Sequence, residues 1–480
     1  MAQAFAELSV AQIQAGLTAK EFSAKEVAES SLARIASADK AVHAFLETTE
    51  EAALAAAARV DAAIAAGDIA QAGPLAGVPV AFKDNMNLEG THTTCSSRML
   101  ENYVSPYTAT CVSKIIEAGG IPLGKLNMDE FAFGSSTETS AFGRSSAAVA
   151  AGLATLTLGS DTGGSIRQPG SFCGTVAVKP TYGVVSRYGV VAFGSSLDQV
   201  GPFARNVQDA ALAMNALAGH DPLDCTSQPV TTDFTANLAE GVSGMRIGVV
   251  PAFMEAEGLA PEVCAKVEEA VEHLRQMGAE IVEVDLPNAQ AAMSAYYVLG
   301  PCEAFSNLAR FDSVRYGYCE PGCKDLGHQY EASRSAGFGP EARRRIMLGS
   351  YLLSAGVYEK YYYPAQQVRT LITQDYVKAY EKVDCIIAPV APRTAFKFGE
   401  IADPTSMYLS DMFTISINIA GNGGMSMPVG LGADSGMPVG VQLISPAFKD
   451  ENMLRAAAAL ETVYGAAPVA PAFADEKDGE

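Results

Sequence analysis

Residues 246–286 read RIGVVPAFMEAEGLAPEVCAKVEEAVEHLRQMGAEIVEVDL. The apolar run at 246–250 predicts a short buried strand, and residues 280–286 predict a second one. Between them, residues 261–277 carry apolar side chains at helical spacing. Strand, helix and strand in this order form a β-α-β unit, whose two strands lie parallel in one sheet. The stretch therefore indicates an α/β protein.

The same alternation continues on both sides of this unit. Short apolar runs at Val78–Phe82, Cys385–Pro389 and Val439–Ile444 predict further strands. Residues 155–158 look extended, and residues 147–153 look helical. We therefore expect a large mixed, mostly parallel β-sheet core covered by helices.

Three regions are predicted along the chain. Residues 1–70 form an N-terminal helical segment, which includes a capping box that begins at Ser23. Residues 71–466 form the core, and its residues from about 287 to 383 are mostly helical, so we interpret them as an insertion or cap. Residues 467–480 are rich in proline, alanine and acidic residues, and are expected to form a loose tail.

Composition limits the possible functions. The chain has 480 residues, of which 49% are hydrophobic and 18% are charged, as expected for a compact protein with a large core. It has 54 acidic and 33 basic residues, giving a formal net charge of −21. This sign is wrong for a protein that binds a phosphate backbone alone. Any nucleic acid would need the basic surface of a partner.

Cysteine usage and hydropathy indicate a cytoplasmic protein. The nine cysteines are scattered and odd in number, which is typical of reduced thiols. Cys319 and Cys323 form the tightest pair, but no second pair follows, so we predict no metal site. No signal peptide and no apolar stretch of about 18 residues is visible, so neither secretion nor membrane spanning is expected.

The segment with the most chemical information is 159–169, which reads GSDTGGSIRQP. Its two successive glycines can turn tightly and leave amide N–H groups uncovered, as an oxyanion hole requires. Ser165 directly follows them and is the candidate nucleophile. A polar turn at the start of a helix explains the composition equally well.

A nucleophilic serine needs a base, and none of the five histidines stands in a motif that recommends it. Lys83 follows the apolar run that ends at Phe82. Burial can lower the pKa of a lysine and so favour the neutral amine, which makes Lys83 the candidate base. The alternative is a lysine at a strand end whose amine reaches solvent.

Several motifs in order resemble the amidase signature family over nearly the whole chain. They are Leu75–Asn87, Gly124–Phe131, Ser160–Pro169, Val178–Gly183 and Ser196–Asp198. The resemblance implies the fold of that family and its Ser-cisSer-Lys triad, with Ser165 as nucleophile and Lys83 as base. It also implies that backbone amides around Thr162, Gly163, Gly164 and Ser165 hold the oxyanion.

Three further stretches resemble one branch of that family, the subunits that hydrolyse glutamine in tRNA-dependent amidotransferases. They are Asn307–Asp312, Arg344–Gly349 and Met407–Asp411. The resemblance implies that Arg344 or Arg345 holds the glutamine carboxylate and that Asp411 holds its ammonium. The alternative for these residues is an ordinary charge on a helix surface.

The resemblance also implies partners. Ammonia released from glutamine would pass to a partner subunit that converts Glu-tRNA(Gln) to Gln-tRNA(Gln). Whether that subunit also converts Asp-tRNA(Asn) to Asn-tRNA(Asn) is left open. The partners would be the B and C subunits of a heterotrimer, with tRNA contacted through the complex. This chain would hold no cofactor, because ATP and magnesium would belong to the partner.

One segment departs seriously from the family, and smaller departures stand at Gly421–Gly424 and Pro301–Glu303. The family has Gly-Gly-Ser-Ser-Gly-Gly, whose first serine relays protons between lysine and nucleophile, whereas residues 142–149 here read FGRSSAAV. Ser145 is the substitute candidate for the relay. Either a loop is deleted, or the sequence closes over a loop that the protein carries. We favour the second because the surrounding active-site residues are intact.

Two other functions compete with the glutamine-hydrolysing subunit. A stand-alone amidase for another small or aryl amide would work without partners. An inactive scaffold would bind partners and release no ammonia, and the missing relay serine is the best argument for it.

Overall fold

The computed structural model describes residues 5–144, 148–401 and 403–470. Eleven strands in these residues form one sheet. They are β1 (Phe45–Thr48), β2 (Pro79–Lys83), β3 (Ile121–Leu126), β4 (Leu156–Asp161), β5 (Val176–Lys179), β6 (Gln199–Ala204), β7 (Arg246–Val249), β8 (Glu280–Glu283), β9 (Cys385–Pro389), β10 (Gly423–Leu431) and β11 (Pro438–Ser445).

Helices cover this sheet. In the described residues they are α1 (Val10–Ala19), α2 (Ala24–Val42), α3 (Glu50–Ala65), α4 (Thr110–Glu117), α5 (Arg167–Phe172), α6 (Val207–Leu217), α7 (Pro251–Met254), α8 (Pro261–Gln276), α9 (Ala292–Leu308), α10 (Leu326–Gly337), α11 (Pro340–Leu352), α12 (Tyr358–Tyr380), α13 (Pro404–Leu409), α14 (Ile415–Ala420) and α15 (Asp450–Tyr464). None of them is both long enough and apolar enough to cross a membrane.

The strands lie in the order β1-β3-β2-β4-β6-β5-β10-β11-β9-β7-β8. β2 is parallel to β3 and β4, and β7 is parallel to β8 and β9. The other neighbouring pairs are antiparallel. The predicted mixed sheet with covering helices is confirmed, but the prediction that it is mostly parallel is wrong. Strand pairs such as β5 and β6 or β10 and β11 are joined without a crossover helix, which a parallel pair needs.

Local predictions had mixed outcomes. The β-α-β unit is confirmed, because β7 and β8 are parallel and α8 connects them. The capping box is also confirmed, since the Ser23 hydroxyl accepts from the Glu26 amide at 3.1 Å and the Glu26 carboxylate accepts from the Ser23 amide at 2.7 Å. The helix predicted at 147–153 is wrong for its described part, where residues 148–152 form turns and Gly152 has φ +64°.

The predicted regions contain more than their labels suggest. The N-terminal segment is not only helical, because β1 pairs with β3 at the edge of the sheet. Residues 287–383 contain α9–α12, and the division into core and insertion stays a prediction. The beginning of the predicted loose tail packs against the core, where Ala467 is buried and its amide donates to the Arg205 carbonyl at 2.7 Å. Residues 471–480 lie outside the described part.

Aromatic packing fixes the helices at 292–380 against the sheet. Phe133 and Phe193 meet edge to face with 4.6 Å between ring centroids, and Phe193 also contacts Tyr296 of α9. These rings belong to one buried cluster that includes Leu299 and Ile372. Side chains of α9 and α11 are therefore held over one edge of the sheet.

This edge is formed by strand ends, and the carboxyl ends of the neighbouring strands β2 and β4 lie there. They are parallel, with Phe82 opposite Leu158. Lys83 is the last residue of β2, and the glycine-rich loop begins directly after β4. Because the carboxyl ends of parallel strands meet at one edge of a sheet, the topology brings Lys83 and Ser165 to the same place.

Candidate active site

The loop that carries Ser165 needs its two glycines. Gly164 has φ +145°, and a Cβ there would lie 2.5 Å from the Thr414 hydroxyl oxygen. A Cβ on Gly163 would lie 2.8 Å from the ring of Tyr296. No larger residue fits at either position without displacing these neighbours. The Ser165 hydroxyl borders open space and donates to the Gly134 carbonyl at 3.0 Å.

A buried ion pair sets the shape of this loop. Asp161 and Arg167 are both fully buried and pair at 3.1 Å. Asp161 also accepts from the amides of Gly164 at 2.8 Å and Ile166 at 3.1 Å. Burial alone would raise the pKa of Asp161, but Arg167, Lys179 and Asn418 together more than offset this and the pKa falls to about 2. Asp161 is therefore charged and holds the loop in place.

This contact corrects one predicted oxyanion donor. The Gly164 amide is occupied by Asp161, so it is not available to an oxyanion in this conformation. The amides of Gly163 and Ser165 have no hydrogen-bond partner in the described residues. Thr162 stays a candidate donor through its amide, while its hydroxyl donates to Asp198 at 2.6 Å.

Lys83 is held by hydrogen bonds rather than by a carboxylate. Its amine donates to the Ser160 carbonyl at 3.1 Å and to the Ser160 hydroxyl at 3.0 Å, and Asn85 donates to that hydroxyl at 2.9 Å. Burial lowers the pKa of Lys83, although three aspartates at a greater distance oppose the shift. Lys125 on the next strand is different, because it pairs directly with Asp84 at 2.9 Å. Lys83 is thus the lysine suited to accept a proton.

Two cavities meet at Ser165. We call the first, of about 220 Å³, the arginine cavity; its lining includes Gly163, Gln168, Tyr297, Arg345 and Asp411. We call the second, of about 350 Å³, the lysine cavity; its lining includes Lys83, Leu126, Phe172, Phe203 and Phe398. Both cavities border Ser165 and Gly134. Ser165 and Lys83 thus face one space, but no hydrogen bond joins them in the described part of the chain.

The two adjacent arginines have different surroundings. Arg345 is only 6% exposed, donates through Nε to Glu341 at 2.7 Å, and lies over the rings of Tyr297 and Tyr408. No described residue accepts from its terminal amino groups, so these can bind a carboxylate. Arg344 is 49% exposed, pairs with the outer oxygen of Glu341, and lines neither cavity.

Asp411 lines the arginine cavity together with Arg345. One of its carboxylate oxygens accepts from Gln168 at 2.7 Å and the other accepts from Tyr297 at 2.9 Å. Burial raises the pKa of Asp411 to about 6, although both hydrogen bonds oppose the shift. At neutral pH the carboxylate is charged and faces a cavity.

Sequence reasoning missed the polar residues that support this cavity. Tyr297, Glu341 and Tyr408 each contact Arg345 or Asp411; no motif contained Tyr297 or Glu341, and Tyr408 lay in the stretch Met407–Asp411 without being assigned a role. Gln168 could have been found, because it lies in the glycine-rich segment itself. The Asp129 carboxylate accepts from three amides of residues 136–139 and so shapes the loop that carries Gly134.

The proposed relay serine, Ser145, lies outside the described residues. Within those residues no peptide bond is cis. They also contain no cluster of three or more histidine, cysteine, aspartate or glutamate side chains arranged for a metal ion.

Comparison with known proteins agrees with this geometry. The family model "Amidase" matches residues 26–454. The A subunit of the glutamyl-tRNA(Gln) amidotransferase of Gloeobacter violaceus is 50% identical, with 98% of this chain and 99% of that protein covered. The alignment spans 487 positions, more than the 480 residues of this chain, so the relative has residues that this chain lacks.

Solved structures give the same result. The A subunit of the glutamyl-tRNA(Gln) amidotransferase of Thermotoga maritima superposes with a TM-score of 0.80 at 38% identity, covering 97% of this chain and 98% of that one. The peptide amidase of Stenotrophomonas maltophilia superposes with a TM-score of 0.79 at 28% identity, with the same coverage.

Proposed function

Because the chain belongs to the amidase family, we propose that it hydrolyses the side-chain amide of glutamine as the A subunit of a glutamyl-tRNA(Gln) amidotransferase. One observation carries the proposal. Ser165, Arg345 and Asp411 border a single cavity, so a nucleophile, a cation and an anion surround the same space. A free amino acid with a side-chain amide has the matching groups.

Binding would use both ends of the amino acid. The terminal amino groups of Arg345 would hold the α-carboxylate in a two-point contact, and the tyrosine rings beside it keep the guanidinium in position. The Asp411 carboxylate would hold the α-ammonium. The side-chain amide is then directed to Ser165, the candidate nucleophile, which lines both cavities.

Hydrolysis would follow the chemistry of a serine amidase. The Ser165 oxygen attacks the carboxamide carbon and a C–O bond forms, while the hydroxyl proton passes to the neutral amine of Lys83. The amides of Gly163 and Ser165, with Thr162, stabilise the oxyanion. The C–N bond then breaks and nitrogen leaves as ammonia with the transferred proton. Water hydrolyses the acyl-enzyme to release glutamate.

The proton path is the weakest part of this site. The Lys83 amine contacts Ser160 and the Ser165 hydroxyl contacts Gly134, so transfer needs an intermediary. In the family this is the relay serine, and here it would be water in the lysine cavity or Ser145. If the loop that carries the relay serine is absent, we expect glutamine to be bound normally but hydrolysed slowly.

The remaining assignments follow from the same proposal. The chain would act with the B and C subunits in a cytoplasmic heterotrimer, and would contact tRNA through that complex. ATP and magnesium would be bound by a partner, in agreement with the net charge of −21.

The test is a comparison of Ser165→Ala with the wild-type chain in the assembled complex. With glutamine, ATP, magnesium and Glu-tRNA(Gln), the variant should form no Gln-tRNA(Gln). With ammonium chloride in place of glutamine it should remain active, because the partner performs that step. Ser113→Ala on α4, which lines neither cavity, is the matched control.

Three results would contradict the proposal. Glutamine-dependent product formation that survives Ser165→Ala would exclude this serine as nucleophile. Hydrolysis of aryl amides in preference to glutamine, without partners, would indicate a stand-alone amidase. No use of glutamine by the wild-type complex would indicate a scaffold.

A further inference from the structure

Gln168 connects the nucleophile loop to the anion of the arginine cavity. It lies in α5, three residues after Ser165, and its side chain is fully buried. Its amide nitrogen donates to Asp411 Oδ1 at 2.7 Å and to the Ser410 carbonyl at 2.7 Å. Reversing the amide would place its oxygen against both acceptors, so the orientation is fixed.

Asp411 depends on this contact. Its two oxygens accept from Gln168 and Tyr297, which are both neutral donors. No lysine or arginine of the described residues forms an ion pair with it. A buried carboxylate that is held by neutral donors keeps its charge for a cation that arrives from outside.

Gln168 also has an unused acceptor. Its amide oxygen is buried and has no hydrogen-bond partner in the described part of the chain. An unpaired buried oxygen costs stability unless a ligand supplies a donor.

We propose that Gln168 is a positioning residue for the recognition of the α-ammonium of the substrate. It fixes Asp411 at a set distance from Ser165, because Gln168 holds Asp411 and lies only three residues after Ser165 in the chain. The inference rests on the proposed binding of glutamine and deepens it. Substrates that lack the ammonium gain nothing from Gln168.

The experiment compares two ligands by calorimetry with the full chain. The ligands are L-glutamine and glutaric acid monoamide, which differs from glutamine only by the missing ammonium. Gln168→Met keeps an unbranched side chain and removes both polar atoms. We expect the Kd of L-glutamine to rise about tenfold or more, as for loss of a hydrogen bond to a charged group. The Kd of the monoamide should change less than about threefold, since it makes no contact of this kind.

Two further variants keep the test decisive. Gln168→Glu preserves the shape of the side chain but places an acceptor against Asp411. It should therefore also raise the Kd of L-glutamine more than the Kd of the monoamide. Gln199→Met removes another buried glutamine, which bonds Lys179 at 2.9 Å and lines neither cavity, and it should change neither Kd.

The outcomes separate this inference from the function on which it rests. Equal weakening of both ligands by Gln168→Met, or no weakening of L-glutamine, would overturn the positioning role and leave glutamine binding in place. A wild-type chain that binds neither ligand would overturn the proposed function and this inference with it.

Discussion

The two cavities that meet at Ser165 differ in how firmly their polar side chains are held. In the arginine cavity, Arg345 is held by Glu341 and by two tyrosine rings, and both oxygens of Asp411 accept hydrogen bonds. In the lysine cavity, the Lys83 amine donates hydrogen bonds only to Ser160 among the described residues, and the lining includes four phenylalanines. The side chains proposed to recognise the substrate are therefore held in place by their neighbours. By contrast, no hydrogen bond among the described residues joins Lys83 to Ser165 for proton transfer.

The difference follows from where each set of residues lies in the sequence. The arginine cavity uses side chains of α5, α9 and α11 and the turn at 410–411. The lysine cavity lies beside the segment that departs most from the family, next to Ala148 and Val149. A deletion there would leave recognition untouched. Recognition and proton transfer thus use different side chains around Ser165.

The largest expected effect comes from restoring the relay. Insertion of Gly-Gly-Ser-Ser-Gly-Gly before Ser145 should raise glutamine turnover by about 10²–10⁴-fold, the usual contribution of a placed proton-transfer group. The Kd of glutamine should stay the same, because the arginine cavity is not altered. Ammonia release and calorimetry measure the two quantities.

The control for this insertion replaces both of its serines by alanine. It adds the same length of backbone without a hydroxyl, so turnover should remain at the wild-type level. An equal gain from both insertions would mean that the segment acts through folding rather than through proton transfer. The comparison of the two cavities would then fail.

Sequence patterns predicted the parts of the site that depend on local order. The family resemblance predicted that Lys83 and Ser165 act together. The fold explains it, because Lys83 ends β2, Ser165 follows β4, and the carboxyl ends of neighbouring parallel strands share an edge. Strand direction in the centre of the sheet could not be predicted, since β5, β6, β10 and β11 carry the same apolar signal in either direction.

Contacts between residues far apart in the sequence could not be predicted from local patterns. Gln168 and Asp411 lie 243 positions apart, and nothing local marks either as the partner of the other. Asp161 occupies the Gly164 amide only because of the loop conformation, so the sequence alone suggested one oxyanion donor too many. The choice between Arg344 and Arg345 needed the orientation of α11, because adjacent helical residues point about 100° apart.

A matched pair of substitutions tests that choice. Arg345→Met should raise the Kd of L-glutamine by about 10–100-fold, because a charged hydrogen-bonding partner of the carboxylate is lost. Arg344→Met should change it less than about twofold, since Arg344 is half exposed and its pair with Glu341 is a surface contact. Calorimetry with each variant gives both values, and a larger loss from Arg344→Met would reverse the assignment.

The smallest effect is a dependence of binding on pH. Asp411 must be charged to hold an ammonium, and burial raises its pKa to about 6. Above that pH the carboxylate is ionised and the Kd of glutamine should be constant. Below it, protonation removes the anion, so the Kd should rise and approach a tenfold increase per pH unit. Calorimetry from pH 5 to pH 8 follows this change.

Two variants test whether Asp411, rather than another titrating group that faces the ligand, causes this pH dependence. Asp411→Asn should bind glutamine weakly with no pH dependence over this range, because the amide does not titrate. Lys83→Met should keep the wild-type pH dependence, since the lysine serves the proton path and not the ammonium. If the dependence instead disappears in Lys83→Met, then the two cavities are coupled, and the separation between recognition and turnover does not hold.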